Sequence, residues 1–342
     1  MRPREAARRN PALRRRVSLL VIAVVAVAVG AAVVIAVALV QRWAFTAAAT
    51  PPGVGTTVIA PHQSKAQRAL AEDGSDAEIA ATEYLAAQPT AYWLTPEQDP
   101  PGAVGRTVTA LTSQARNEDA AVAVVVYGLP GRDCGSHSAG GLAASEYPAW
   151  VSEIADALEA APDVQKVVVL EPDSLALAPS CGDGDQRFAQ LRAAAHELSG
   201  PDTWIYLDGG HSGWLPAAEM ATLISRVDAG TQVRGFATNV SNYRATHDEF
   251  AYAHELSGHL GGMHAIVDTS RNGAATAGAE WCNPAGQRVG EPSGTFGDDV
   301  VDMNLWVKPP GESDGPCNGG PAAGVWWPEG AVTLAGASAA EH

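Results

Sequence analysis

Beyond about residue 58 the chain alternates short apolar runs with longer amphipathic stretches. The runs are Ala91–Leu94, Ala121–Tyr127, Lys166–Leu170, Thr203–Leu207, Val233–Ala237, His264–Val267 and Met303–Val307. Most are rich in β-branched or aromatic residues and are bounded by polar residues, Gly or Pro, the pattern of strands. Between several of them lie amphipathic helices, of which Tyr147–Ala160 and Gln186–Leu198 are the clearest. Strands alternating with helices imply a parallel sheet. Seven of them predict an α/β barrel, incompletely closed, in preference to a doubly wound sheet.

The N-terminal pattern is different. Val17 to Val40 is a run of 24 residues without charge. A helix needs about 20 residues to cross a bilayer, whereas the apolar part of a signal peptide is usually about 7–15. Arginines precede the run and only Arg42 follows closely, so the positive-inside rule leaves the N-terminus in the cytoplasm and exports the rest. The expected organisation is a basic segment at 1–16, a transmembrane signal-anchor at 17–40, a linker at 41–57 and a catalytic domain at 58–342. Cleavage near Ala47–Ala49 is the alternative to anchoring. The linker is expected from the Ala, Thr, Pro and Gly content of Thr46–Thr57.

Charge narrows the partners. Residues 1–16 hold seven arginines and one acid, +6 in all; the chain totals −16, so residues 17–342 carry −22. So acidic a surface repels phosphate backbones, which excludes nucleic acid and leaves neutral ligands such as sugar polymers open. With 46% apolar and 18% charged residues the chain can bury a large core. Four cysteines, Cys134, Cys181, Cys282 and Cys317, suggest two disulfides outside the cytoplasm, with three pairings open. No CxxC or HxxxH spacing occurs, so neither a metal nor another cofactor is expected. His254 and His259 stand five apart, off one helical face, and read as surface histidines.

The strand ends carry the chemistry. They read Trp93, Tyr127, Glu171-Pro172-Asp173, Asp208, Thr238-Asn239, Asp268 and Lys308. In parallel barrels the site gathers at the carboxyl ends of the strands. One aspartate there means little, since Asp also caps helices; several suggest a shared site. Glycoside hydrolysis needs a carboxylic acid kept neutral by burial or by a neighbouring carboxylate, and a second, charged group. Tryptophans near these loops (Trp93, Trp214, Trp281, Trp306) offer flat apolar faces for sugar rings.

Nine ordered motifs together resemble glycoside hydrolase family 6, the cellobiohydrolases and endoglucanases acting on cellulose. They are Val125-Val126-Tyr127, Gly131-Arg132-Asp133-Cys134-Gly135, Glu171-Pro172-Asp173-Ser174, Tyr206-Leu207-Asp208-Gly209-Gly210-His211, Ala237-Thr238-Asn239-Val240-Ser241-Asn242-Tyr243, Asp268-Thr269-Ser270-Arg271-Asn272-Gly273, Glu280-Trp281-Cys282-Asn283, Leu305-Trp306-Val307-Lys308 and Gly311-Glu312-Ser313-Asp314-Gly315. The resemblance implies a distorted barrel of seven parallel strands and an inverting mechanism. It implies Asp173 as general acid, Asp133 as modulator of that acid and positioner of water, Asp314 as proposed base, Asp208 as a further site aspartate, and Tyr127 crowding the sugar at the cleavage point. Trp93, Trp214 and Trp281 match stacking positions. Lys308 and Glu312 match residues that hydrogen-bond sugar hydroxyls, and Asn239 joins the substrate-binding set. Ser138 matches a loop serine that holds water. The family's pairing implies the disulfides Cys134–Cys181 and Cys282–Cys317. Both enclosed loops are short, as in endoglucanases, so internal cutting of a β-1,4-glucan by a monomer is expected. Exo-cutting that releases cellobiose is the enzymatic alternative, and a non-catalytic glucan-binding protein the alternative of another class.

Overall fold

The computed structural model describes residues 24–37, 40, 49–135, 140–182, 184–274 and 280–336. They fall into two units divided after Ala48. In the first, residues 24–37 are helical and exposed. They lie inside the expected membrane span, whose flanks fall outside the described residues. Among the described residues no helix is long and apolar enough to cross a membrane.

The second unit is built on seven parallel strands hydrogen-bonded in sequence order: β1 (Tyr92–Leu94), β2 (Val122–Val126), β3 (Lys166–Leu170), β4 (Thr203–Asp208), β5 (Gly235–Thr238), β6 (His264–Asp268) and β7 (Val301–Leu305). The helices are α1 (Lys65–Ala69), α2 (Asp76–Ala86), α3 (Val104–Glu118), α4 (Tyr147–Glu159), α5 (Ser174–Cys181), α6 (Gly184–Leu198), α7 (Ala217–Val227), α8 (Thr246–His259) and α9 (Pro328–Ala335). Helix α4 illustrates why they form where they do. Tyr147, Trp150, Val151, Ile154, Ala155 and Leu158 are buried, which is the i, i+3, i+4 stripe of a helix lying on a sheet.

Both faces of the sheet are buried, and strand alternation sorts the side chains between two cores. Val122, Val124 and Val126 of β2 join the outer core beneath the helices. Ala123 and Val125 point the other way, into a smaller core with Val167, Val169, Tyr206, Ile266 and Met303. A sheet that encloses a second core of its own is a barrel. Strands β1 and β7 do not pair as a ladder, yet the seam is bridged: Ala91 N donates to Trp306 O at 2.9 Å and Trp93 Nε1 to Val307 O at 2.8 Å. Packing between β5 and β6 explains one glycine, since a Cβ on Gly235 would meet His264 O at 1.7 Å.

Several boundaries differ from expectation, among them the start of β5, at Gly235 where the apolar run began at Val233. Strand β7 begins at Val301 and ends at Leu305, where the apolar run suggested 303–307. A register irregularity at Ala265/Ile266 brings Val301 into the ladder. Beyond Leu305 the amides leave it, Trp306 N for Ser293 Oγ and Val307 N for the Asp268 carboxylate. Residues 49–57, expected within the linker, belong to the compact second unit. Thr50 O accepts from Gln165 Nε2, Gly55 N donates to Gly294 O, and Thr57 O accepts from Ala121 N. A composition rich in Ala, Pro and Gly does not prevent a segment from docking through its backbone.

Candidate active site

The carboxyl ends of β2, β3 and β4 bring three of the expected aspartates together. Asp208 closes β4, and its buried Oδ2 accepts from Asp173 N at 2.9 Å and Gly210 N at 3.4 Å. Asp173 is the residue before α5. Asp133 sits in a short 3-10 turn after β2, and both its oxygens lie within reach of the Tyr127 hydroxyl, at 2.8 and 2.7 Å. The disulfide Cys134–Cys181 ties that turn to the far end of α5, so one covalent link spans the segments carrying Asp133 and Asp173. Cys282–Cys317 likewise closes the loop that holds Asp314. Both bridges follow the pairing that the family pattern implied.

The backbone here is under local strain. Asp133, Cys134, Glu171, Asp173, Asn239 and Ser241 all adopt positive φ, between 51° and 66°. Left-handed backbone is unfavourable for residues with a Cβ and concentrates at functional sites. A buried carboxylate holds the region in place. Glu171, fully buried, accepts from Gly128 N, Leu129 N and the Tyr147 hydroxyl, and so joins the end of β2 to the end of β3. Burial pushes its carboxyl up to about 7 despite those donors. Gly128 has no room for a side chain, since a Cβ would lie 2.6 Å from the Trp150 ring.

Asp173 is half-buried, and among the described residues its carboxyl has no hydrogen-bond or ion-pair partner. Burial raises its pKa well above the ordinary range, and the charges of Asp208, Asp133 and Asp314 raise it further against the pull of Lys308. Asp208 is itself pushed up to about 7 by burial, offset in part by the two amides it accepts from. The carboxyls are therefore close enough to compete for protons.

Asp314 lies in the opposite regime. It accepts from Arg271 Nη1 at 2.8 and 3.0 Å, from the Tyr243 hydroxyl at 2.7 Å and from Asn283 N at 3.1 Å. The side chains of Arg271 and Asp314 are 1% and 5% exposed, so this ion pair is barely screened by water. Burial is the largest influence and opposes its charge, but Arg271, Lys308 and the bonds from Asn283 N and Tyr243 together outweigh it and hold the carboxyl below its usual range.

The aromatic and polar residues divide. Trp93 meets the Tyr127 ring edge-on at 5.1 Å, and Lys308 Nζ stands 5.2 Å from the Trp93 ring centre, so these three are contiguous. Arg132 fixes Tyr127 from the other side, 4.2 Å over its ring, while bonding Tyr127 O and Glu97. Trp214 is half-buried beside His211, whose imidazole burial and Arg244 push down to about 4, which keeps it neutral at ordinary pH. Trp281 is 43% exposed. Glu312 pairs with Lys65 Nζ at 2.9 Å. Asn239 is not brought to the surface: it is fully buried, donating to Asp268 O and accepting from Arg244 N. Its amide is occupied by the scaffold and has no free edge for a sugar. Ser138 lies outside the described residues.

Sequence reasoning missed Glu171, Tyr243, Asp268, Arg271 and Asn283 as site residues. All five stand within motifs quoted above, and Glu171 and Asp268 end strands, which was the available signal. His254 and His259 are both exposed, and His254 pairs with Asp298. His254, Asp298 and Asp299 form the one grouping among the described residues that could hold a metal ion, and it is exposed throughout.

A carboxyl whose pKa is raised by burial and like charges, in the field of one whose pKa cations hold down, is an arrangement suited to proton delivery and proton acceptance. The family model for glycosyl hydrolases family 6 matches residues 55–338. Endoglucanase A of Cellulomonas fimi is 42% identical over 262 residues, 76% of this chain and 57% of that protein, so this chain spans less than two thirds of that relative. A probable 1,4-β-D-glucan cellobiohydrolase C of Aspergillus clavatus is 35% identical over 66% of this chain and 59% of its own length. Among solved structures, an endoglucanase of Mycobacterium tuberculosis in complex with methyl-cellobiosyl-4-deoxy-4-thio-β-D-cellobioside superposes with a TM-score of 0.76 at 36% identity. That match covers 86% of this chain and 100% of the other. By sequence, by fold and by the match along residues 55–338, the chain belongs to glycosyl hydrolases family 6.

Proposed function

We propose that the chain hydrolyses internal β-1,4-glucosidic bonds of cellulose or a related β-glucan by an inverting mechanism. The observation that carries this reading is Asp173: a carboxyl kept neutral by burial and three neighbouring aspartates, with no partner for its side chain among the described residues. Such a group donates a proton to a leaving oxygen. Asp314 stays a carboxylate over the pH range in which Asp173 is neutral, which supplies a proton donor and a charged acceptor together. Asp133 and Tyr127 flank the acid and position water and sugar. Trp93, Trp214 and Trp281 offer stacking faces, while Lys308 and Glu312 offer charge-assisted bonds to hydroxyls. Internal cutting is supported by the short disulfide-closed loops, with separations of 47 and 35 residues, and by the 42% identical relative named as an endoglucanase. Two disulfides and the basic flank before the apolar segment support an exported enzyme, tethered through residues 17–40 or released by cleavage.

Asp173→Asn tests the reading. The change keeps shape and removes the transferable proton, so hydrolysis of unactivated glucan falls by about 10²–10⁴-fold while binding persists. Turnover is followed as viscosity and reducing ends together on a soluble cellulose derivative. A rapid viscosity fall marks internal cutting, and reducing ends without it mark exo-cutting. Near-normal turnover by Asp173→Asn removes Asp173 from its role. The first-formed anomer, read by proton NMR, is α if the reaction inverts.

A further inference from the structure

We propose that Asp268 is the positioning residue of the cationic half of the site: its carboxylate gathers backbone amides from three loops and so holds Arg271, Tyr243 and Lys308 around Asp314. Its Oδ1 accepts from Ser270 N at 2.9 Å and Val307 N at 3.2 Å. Its Oδ2 accepts from Ser241 N at 3.1 Å and Lys308 N at 3.1 Å. Asp268 is 1% exposed, so water cannot replace these bonds.

The four amides are not arbitrary. Ser270 precedes Arg271, whose Nη1 bonds Asp314, and Ser241 lies two residues before Tyr243, whose hydroxyl does the same. Lys308 contributes both its amide and the ammonium that acts on Asp314. Arg271 also donates to Ser241 O, tying the loops after β5 and β6 to each other. These loops lie past the strand ends, where the ladder between parallel strands has stopped. A carboxylate with four lone-pair sites takes over the ladder's task there. An asparagine could not, because its NH₂ would face two N–H donors. The charged and titratable groups that face Asp314 are Arg271, Lys308, Tyr243 and Asp173. Those whose titration feels Asp268 are Arg271 and Tyr243.

The inference rests on the hydrolytic reading only for its effect on turnover; its effect on Asp314 is read separately. In the full chain, aspartate carboxyls labelled with ¹³C are titrated by NMR, and Asp314 is assigned by the signal lost in Asp314→Asn. In Asp268→Asn the cations drift from Asp314, whose titration midpoint rises by about one pH unit or more. The kcat falls by about 100-fold, the cost of a misplacement on the order of 1 Å. A purely structural role would lower the melting temperature and leave the midpoint alone. An unmoved midpoint in a variant with native near-UV circular dichroism overturns the inference. Should Asp268→Asn not fold, Asp268→Glu keeps the charge and displaces it by one methylene; a native midpoint and native kcat there also overturn it. A midpoint that rises in Asp268→Asn while the unsubstituted chain shows no glucan hydrolysis upholds Asp268 and rejects the hydrolytic reading, whereas an unmoved midpoint with an active unsubstituted chain rejects Asp268 alone.

Discussion

Asp208→Asn separates the two causes that keep Asp173 neutral. The change preserves shape and leaves an oxygen able to accept from Asp173 N, but removes one negative charge. Asp208 is the largest electrostatic contributor to the raised pKa of Asp173 after burial. A carboxylate bonded to a residue's amide lies on the order of 5–6 Å from that residue's own carboxyl, where two charges at an effective dielectric constant of about 20 repel by roughly 3 kcal/mol, or about two pH units. A general acid works only while protonated, so activity is present below its pKa and lost as pH rises through it. Taking away the neighbouring charge lowers that pKa, so the basic limb of the profile moves to lower pH by about one to two units. Burial and Asp133 remain, so the limb stays above the ordinary carboxyl range. The assay is the initial rate of reducing-end formation on a soluble neutral glucan at low concentration, which reports kcat/KM across pH. A basic limb that stays put or moves upward refutes the argument, because it would mean that Asp208 does not repel the proton-donating carboxyl.

Two further expectations concern stability. Glu171 and Asp208 both titrate near about 7 in the folded state, raised by burial from 4.5 and 3.8. The folded state then binds more protons than the unfolded one between those values, so stability is highest on the mildly acidic side and declines as pH rises from about 4.5 to about 7. Melting temperatures that increase across that window contradict the assignment. Reducing the disulfides releases loops of 47 and 35 residues, which by chain-entropy arguments costs about 4 kcal/mol for each. Denaturant unfolding with and without a reductant measures it, and an unchanged midpoint would show that the bridges constrain nothing the fold does not already fix.

Much of the architecture was legible in the chain. The seven apolar runs became seven strands, Lys166–Leu170 with its expected limits, because alternation within a strand and spacing within a helix are local and survive in one dimension. The aspartates stood out by ending such runs, and a parallel barrel sends every strand end to the same side. The resemblance implied Asp173 as the acid, but composition and periodicity alone could not determine which carboxyl keeps its proton. Asp173, Asp208, Asp268 and Asp314 are the same side chain, each at or just beyond a strand end or in a loop, and their letters are interchangeable. Tertiary structure sets Asp314 against a buried Arg271 from another loop and sets Asp173 against three aspartates from elsewhere in the chain. It also turned Asn239 from an expected sugar contact into a buried strut, and Asp268 from a strand end into the acceptor of four amides. Identity and periodicity belong to the chain; the energy of a charge depends on the solvent and the opposite charges that closure of the barrel brings to it, and these come from residues tens to hundreds of positions away.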